Sequence, residues 1–147
     1  MSTLKLTAAQ GLCYAIQGEL CGPGIAKNHL GLTEPDLFVF NVWSCERNNY
    51  LAYHEYQEFC TVHGLRTVPL LGVCSDTEIF ESASGDQVPI EYNLPWFLRL
   101  AEGKYVGTQN NREGIVVRPL IEQTSTTLNG RFSFKVLNNI FLLKDES

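Results

Sequence analysis

The chain has 147 residues, 44% of them hydrophobic and 18% charged, with a formal net charge of -5. That length suits one domain with a core of its own, and no apolar run approaches the roughly 20 residues that span a bilayer. The acidic balance does not by itself point to a nucleic-acid binder, but it is uneven: residues 1–97 hold 4 Lys/Arg against 11 Asp/Glu, and residues 98–147 hold 7 against 5. Any phosphate-facing surface is therefore expected from the C-terminal third.

The N-terminus, Met1 to Leu6, lacks a basic region followed by a long apolar one, so no secretory signal is expected. Leu12 to Leu20 reads as a strand leading into Cys21-Gly22-Pro23-Gly24, a tight turn made by glycines flanking a proline. Glu19 ends that strand and, on its own, reads as a solvated loop carboxylate. Leu37 to Trp43 is an almost unbroken apolar and aromatic run, suited to a strand buried on both sides. Phe40 in it reads as core, although an aromatic at a cleft edge can stack on a base for roughly 1–3 kcal/mol.

Asn48-Asn49 predicts the cap of a helix from about Tyr50 to His63, with Ala52, Tyr56, Phe59, Cys60 and His63 on one face and Gly64 ending it. His63 has no other histidine at ligand spacing and is read as structural. Val68 to Val73 predicts a short strand near an edge, since Pro69 cannot donate to a ladder. Ser75-Asp76-Thr77-Glu78 has the pattern of a capping box and predicts a short helix to about Ala83, followed by a polar loop from Ser82 to Glu91. Asn93, with Pro95 in the first turn, predicts a helix to about Glu102 that stops at Gly103.

Arg112 to Pro119 reads as a strand, since Ile115, Val116 and Val117 are β-branched and Pro119 closes the run. Alternation puts Glu113, Ile115 and Val117 on one face, with Gly114, Val116 and Arg118 on the other. A carboxylate entering an apolar strand needs a partner or a metal, and the glycine beside it allows a close approach of backbone or ligand. The alternative is an edge strand ending in solvated charges. Thr124 to Gly130 reads as a flexible connection. Arg131 to Asn138 then alternates, with Phe132, Phe134 and Val136 toward a core and Lys135 away from it, as for an ordinary solvent-facing lysine. Ile140 to Leu143 predicts a last strand, with a frayed tail from Lys144 to Ser147. The elements predict an α+β fold, a mainly antiparallel sheet with flanking helices. The five cysteines, Cys13, Cys21, Cys45, Cys60 and Cys74, are odd in number and form no Cys-x-x-Cys, which argues against zinc and for reduced thiols in the cytoplasm.

Four stretches, taken together, resemble the ATP-dependent RNA ligases of the covalent nucleotidyltransferase superfamily. Gln17-Gly18-Glu19-Leu20-Cys21-Gly22-Pro23-Gly24-Ile25 is similar to the family's Gly-Glu-Leu-x-Gly-Pro-Gly-Ile segment. Phe38-Val39-Phe40-Asn41-Val42 resembles its Phe-x-x-Phe-Asp-Ile segment, and Glu113-Gly114-Ile115-Val116-Val117-Arg118 followed by Phe134-Lys135-Val136 resembles its last two motifs. The resemblance implies a nucleotidyltransferase-like fold, residues 1–147 being the back half of an adenylyltransferase domain. It implies that Glu19 contacts the ribose, that Phe40 stacks on adenine, and that Arg118 joins them in binding the nucleotide. Glu113 would serve the metal and the reacting lysine, and Lys135 would contact the phosphates, with ATP as substrate and Mg2+ or Mn2+ as cofactor. RNA ends are the implied second partner, and no membrane is expected.

Three departures bound that expectation. Asn41 stands where the family has aspartate, and Leu137 where many relatives have a second lysine. The nucleophile's Lys-x-Asp-Gly is absent: Lys5, Lys27, Lys135 and Lys144 lack the following residues, and Lys104-Tyr105-Val106-Gly107 has valine for the aspartate. Two functions follow as expectations. One is a ligase core completed by an upstream lysine, the chain alone being inactive in self-adenylation; the other is a catalytically inactive module that binds nucleotide or RNA. A relative of DNA ligases or capping enzymes is a third. Without its nucleophile strand, such a part is expected to self-associate through an exposed sheet edge.

Overall fold

The computed structural model describes residues 2–7, 13–75, 77–91 and 93–145. In chain order the elements are β1 (Ser2–Thr7), β2 (Cys13–Cys21), β3 (Asp36–Ser44), β4 (Asn49–Tyr50), α1 (Tyr53–Val62), β5 (Arg66–Thr67), β6 (Gly72–Cys74), β7 (Ile79–Ser82), β8 (Gln87–Pro89), α2 (Leu94–Ala101), β9 (Gly114–Val117), β10 (Thr124–Ser125), β11 (Gly130–Arg131), β12 (Phe134–Leu137) and α3 (Asn139–Asp145). Contacts group them into two compact units, residues 1–68 with 118–134, and residues 69–117 with 135–147. The fold is α+β and mainly antiparallel, as expected. No helix among the described residues is long and apolar enough to cross a membrane.

The first unit is built on the sheet β1-β2-β3-β4, with β5 added parallel to β3. Its core is Ile16, Val39, Val42, Leu51, Tyr56, Phe59 and Cys60, where α1 lies against the sheet. Val39 and Val42 are both essentially inaccessible although three residues apart, which a regular strand would not allow. The register explains it. Gln17 faces Asn41 and Gly18 faces Val39, so Phe40 is an extra residue in β3, a β-bulge. Leu37 and Val39 point to the core before the bulge, and Val42 and Ser44 after it. Gly18 is required opposite, because a Cβ there would stand 2.7 Å from the Phe38 carbonyl oxygen.

The second unit packs Phe80, Ile90 and Trp96 with Phe97 and Leu100 beneath the sheet β6-β7-β8 and α2. Asn93 caps α2 by accepting the Trp96 N–H at 2.9 Å, with Pro95 in the first turn. The Arg112 guanidinium closes the other end, donating to Leu100 O at 2.8 Å and Ala101 O at 3.2 Å. β9 pairs with β12, and Ile115 and Val136 are buried while Val116 is 52% exposed, so the predicted alternation holds there.

Several predicted elements need correction. The helix begins at Tyr53, not Tyr50, because Asn49–Tyr50 pairs with β3 and the Glu55 carboxylate takes the Ala52 N–H at 3.1 Å. Of the predicted Val68–Val73 strand only Gly72 and Val73 lie in one, β6; β5 ends at Thr67, and Pro69 lies in the break between them. The helix from Ser75 is a turn into β7: Ser75 accepts the Glu78 N–H, and Phe80 packs against Trp96 as a strand residue. Asp76, Leu12, Met1, Glu146 and Ser147 lie outside the described residues. The polar loop after Ser82 contains β8, and Thr124–Gly130 is a hairpin of β10 and β11. Phe132 is 38% exposed and not core. Ile140–Leu143 is helical, since the buried Asn138 accepts the Ile140 N–H at 3.0 Å and starts α3.

Candidate nucleotide site

Each unit carries part of the predicted set. In the first, the pleat puts Gln17, Glu19, Phe38, Phe40 and Asn41 on the sheet face turned away from α1. Phe40 is half-buried there, and Glu19 is exposed at the end of β2 with no hydrogen bond or ion pair to its carboxylate among the described residues. The bulge takes the Phe40 carbonyl out of the β2–β3 register, and such a group needs another donor. Arg118 supplies it, with Nη1 donating to Phe40 O at 2.7 Å and to Asn41 Oδ1 at 2.7 Å, while Nε reaches Ser133 Oγ at 3.3 Å.

Asn41 gathers the groups around that point. Its Oδ1 also accepts Arg131 Nη1 at 2.6 Å, and its Nδ2 donates to Gln17 Oε1 at 2.8 Å. Arg131 forms a two-pronged ion pair with Glu122 at 2.5 and 2.9 Å and stacks its guanidinium 3.9 Å above the Tyr50 ring. Two arginines thus meet beside one carboxylate. Burial, and then the Arg131 charge, hold the Arg118 pKa below its ordinary value. Arg118 spends Nε and Nη1 on the protein, and through Nη1 it fixes the backbone at Phe40. Neither this role nor that of Arg131 carried a signal in the sequence, because the bulge that creates the need is a property of strand register.

In the second unit, the chain joins Glu113 and Lys135 across 22 residues: Lys135 Nζ donates to Glu113 Oε1 at 2.5 Å. Both side chains are nearly half exposed, at 46% and 44%. Exposed pairs of this kind are worth about 0–1 kcal/mol, so a phosphate can exchange for the carboxylate at small cost. The backbone beneath is firm. The Glu113 N–H donates to Tyr105 Oη at 3.2 Å and its carbonyl accepts the Asn138 N–H at 2.8 Å. Asn138, 1% exposed, also donates Nδ2 to Arg112 O at 2.8 Å. Gly114 is needed beside it, because a Cβ there would fall on the Val136 carbonyl oxygen of β12. Asn138 and Tyr105 are positioning residues that the motifs did not reveal; an asparagine directly after a strand is the one available sign.

No three His, Cys, Asp or Glu residues gather as a metal cage among the described residues. The second oxygen of Glu113 is the one protein donor that a hard divalent ion would find at this pair, phosphate oxygens and water supplying the rest, as magnesium is commonly bound. A hollow of about 620 Å³ over β6 and β7 is lined by Ser75, Thr77, Glu81 and Gln87, none of them a predicted site residue. Its polar groups pair with one another, Ser75 with Thr77 at 2.6 Å and Gln87 with Glu81 at 3.4 Å.

Comparison with known proteins agrees with the motifs. A family model described as RNA ligase matches residues 2–137. The solved structure of Naegleria gruberi RNA ligase with pyrophosphate is similar at 25% identity and a TM-score of 0.67, over 90% of this chain and 34% of that one. A lysine-to-alanine mutant of the same enzyme, solved with ATP and manganese, is similar at 25% identity and 0.66, over 89% and 34%. A lysine-to-methionine mutant with AMP and manganese gives 25% and 0.67. This chain therefore spans about a third of the length of those relatives. No curated protein matches it.

Proposed function

Because the chain belongs to the RNA ligase family, we propose that it is part of an adenylyltransferase domain that grips ATP or AMP and supports the sealing of RNA ends. The observation that carries this reading is the Lys135–Glu113 pair, two side chains from separate motifs held together on β12 and at the start of β9. Lys135 neutralises phosphate charge when a nucleotide takes the place of the carboxylate, and Glu113 is released toward the reacting amine. Glu19 receives the ribose hydroxyls and Phe40 stacks on the adenine, supported by Arg118 behind its carbonyl. A magnesium or manganese ion, held by Glu113 and the phosphates, would stabilise charge developing on the transferred phosphoryl group.

No lysine of this sequence is followed by x-Asp-Gly, so the proposal assigns the nucleophile to a lysine outside residues 1–147. That lysine would attack the α-phosphorus of ATP, form a lysyl-adenylate and release pyrophosphate. The same absence favours a second reading, a module that binds nucleotide or RNA ends without chemistry.

Both readings expect the chain not to label itself, and the first expects it to bind ATP. With α-labelled ATP and magnesium or manganese, a denaturing gel is expected to show no covalent band; a band abolished by replacing one lysine would make the chain a self-sufficient enzyme. Calorimetry is expected to show ATP binding that weakens about tenfold to a hundredfold in Lys135→Ala, the equivalent of the roughly 1.5–3 kcal/mol of a charge-assisted hydrogen bond. No ATP binding by the folded chain would sink the first and leave of the second only a holder of RNA ends. The readings separate when a fragment bearing Lys-x-Asp-Gly is added in trans: labelling that then depends on Glu113 supports the first, and none supports the second.

A further inference from the structure

Outside this site, the structure places two cysteines together at the mouth of the β2–β3 hairpin. Cys13 opens β2, and Cys45 directly follows the end of β3. The ladder pairs Tyr14 with Ser44, and one step further the Cys45 N–H donates to Cys13 O at 2.9 Å, so the two residues stand opposite each other. Their sulfurs are 3.0 Å apart, and the residues are 32 positions apart in sequence.

We propose that Cys13 and Cys45 are a dithiol modification site, closed to a reversible intrachain disulfide by hydrogen peroxide or an organic hydroperoxide. Hydrogen-bonded partners on antiparallel strands have Cα atoms about 5.5 Å apart, within the roughly 4.4–6.8 Å that a disulfide spans. The sulfurs need only close from 3.0 Å to about 2.05 Å, which side-chain rotation accomplishes without moving the strands.

The chemistry balances with the peroxide as sole oxidant. Cys45 is exposed and meets it first. Its thiolate attacks one peroxide oxygen, the O–O bond breaks, and the departing hydroxide or alkoxide takes a proton. The Cys45 sulfur is left as a sulfenic acid. The Cys13 sulfur then attacks that sulfur, the S–S bond forms, and the S–O bond breaks with loss of water. Two thiols and one hydrogen peroxide thus give one disulfide and two waters, and a thiol reductant reverses the step by exchange. The remaining cysteines are set apart. Cys60 is buried, and burial raises its thiol pKa and that of Cys74. Burial, then the charges of Glu19 and Asp36, raise that of Cys21.

The test is to titrate the folded chain with hydrogen peroxide, block remaining thiols, and map peptides without reduction. The expected result is a species lighter by two hydrogens, with three of the five cysteines still alkylated and the Cys13 and Cys45 peptides joined. Dithiothreitol should restore all five thiols. In Cys13→Ser, the Cys45 sulfenic acid should persist long enough for capture by a 1,3-dione. Oxidation of both sulfurs to sulfinic acid without a link, or links spread among Cys21, Cys60 and Cys74, would overturn the proposal, as would no link at all. The wild-type map decides the matter even where the variant folds poorly.

Discussion

At the scale of single residues, Asn41 carries more than its place in a strand suggests. Its one oxygen serves both Arg118 and Arg131, while Glu122 is the carboxylate beside them. Asn41→Asp adds the charge this node lacks, and Gln17 can turn its amide to donate in place of accepting. Hydrogen bonds to charged groups are worth about 1.5–3 kcal/mol against roughly 0.5–1.5 for neutral ones. We expect Asn41→Asp to stabilise the chain by about 1–2 kcal/mol in urea unfolding at neutral pH; a loss of stability would show that the node is already charge-balanced. Gly114 offers the opposite case. Gly114→Ala sets a Cβ on the Val136 carbonyl, and overpacking of this kind costs typically about 1–3 kcal/mol. Gly130→Ala meets nothing within 4 Å and should stay within about 0.5 kcal/mol of wild type in the same measurement. The need for a glycine at position 114 was legible in the sequence, because a glycine beside a carboxylate in a β-branched run marks close approach. Which backbone approaches was not, since that depends on the pairing of β9 with β12.

Among elements, the capped helix α2 and the long apolar strand β3 were legible, while a short apolar run and an isolated capping pattern were not. Asn93 with Pro95 announces α2 and caps it as read. Replacing the cap, Asn93→Ala, is expected to cost about 1 kcal/mol, seen as a lower thermal midpoint, while a change below about 0.3 kcal/mol would mean that Arg112 at the far end holds the helix alone. By contrast, Ile140-Phe141-Leu142-Leu143 is a four-residue run, which fits a strand and a helix equally. Only the buried Asn138 side chain, tied to Arg112 and to the Ile140 N–H, decides for α3. The Ser75–Glu78 pattern failed for a related reason. A capping box presupposes a helix after it, and the packing of Phe80 on Trp96 claims that segment as a strand.

For the molecule as a whole, the motif order in sequence carried the family and nominated the candidate site residues, while the groups that support them came only from the fold. Closing the Cys13–Cys45 pair would shorten the unfolded ensemble by a loop of 32 positions. The chain-entropy relation puts that at about 3–4 kcal/mol of stability for the oxidised over the reduced chain, read from paired urea unfolding curves with and without reductant. Self-association is also expected. Val116, Leu137, Ile140, Leu142 and Leu143 of the second unit are all more than a third exposed, and an exposed apolar surface of this kind favours contact with another molecule. Sedimentation velocity should show mass rising with concentration; a single monomer boundary over a wide range would refute it.

The bulge in β3 has a consequence for insertion and deletion. A strand keeps parity: removing one residue normally reverses every side chain beyond the cut, turning the core outward. β3 already contains one residue out of count, so deletion of Phe40 would restore parity in place of breaking it. Gly18 would still face Val39, Gln17 would still face Asn41, and Val39 and Val42 would then fall two apart on the same side. Phe40 is thus a residue that the core does without. The shortened chain is expected to keep its circular dichroism spectrum and cooperative unfolding while losing adenine nucleotide binding. Such a variant separates what β3 does for the fold from the adenine stacking proposed for it.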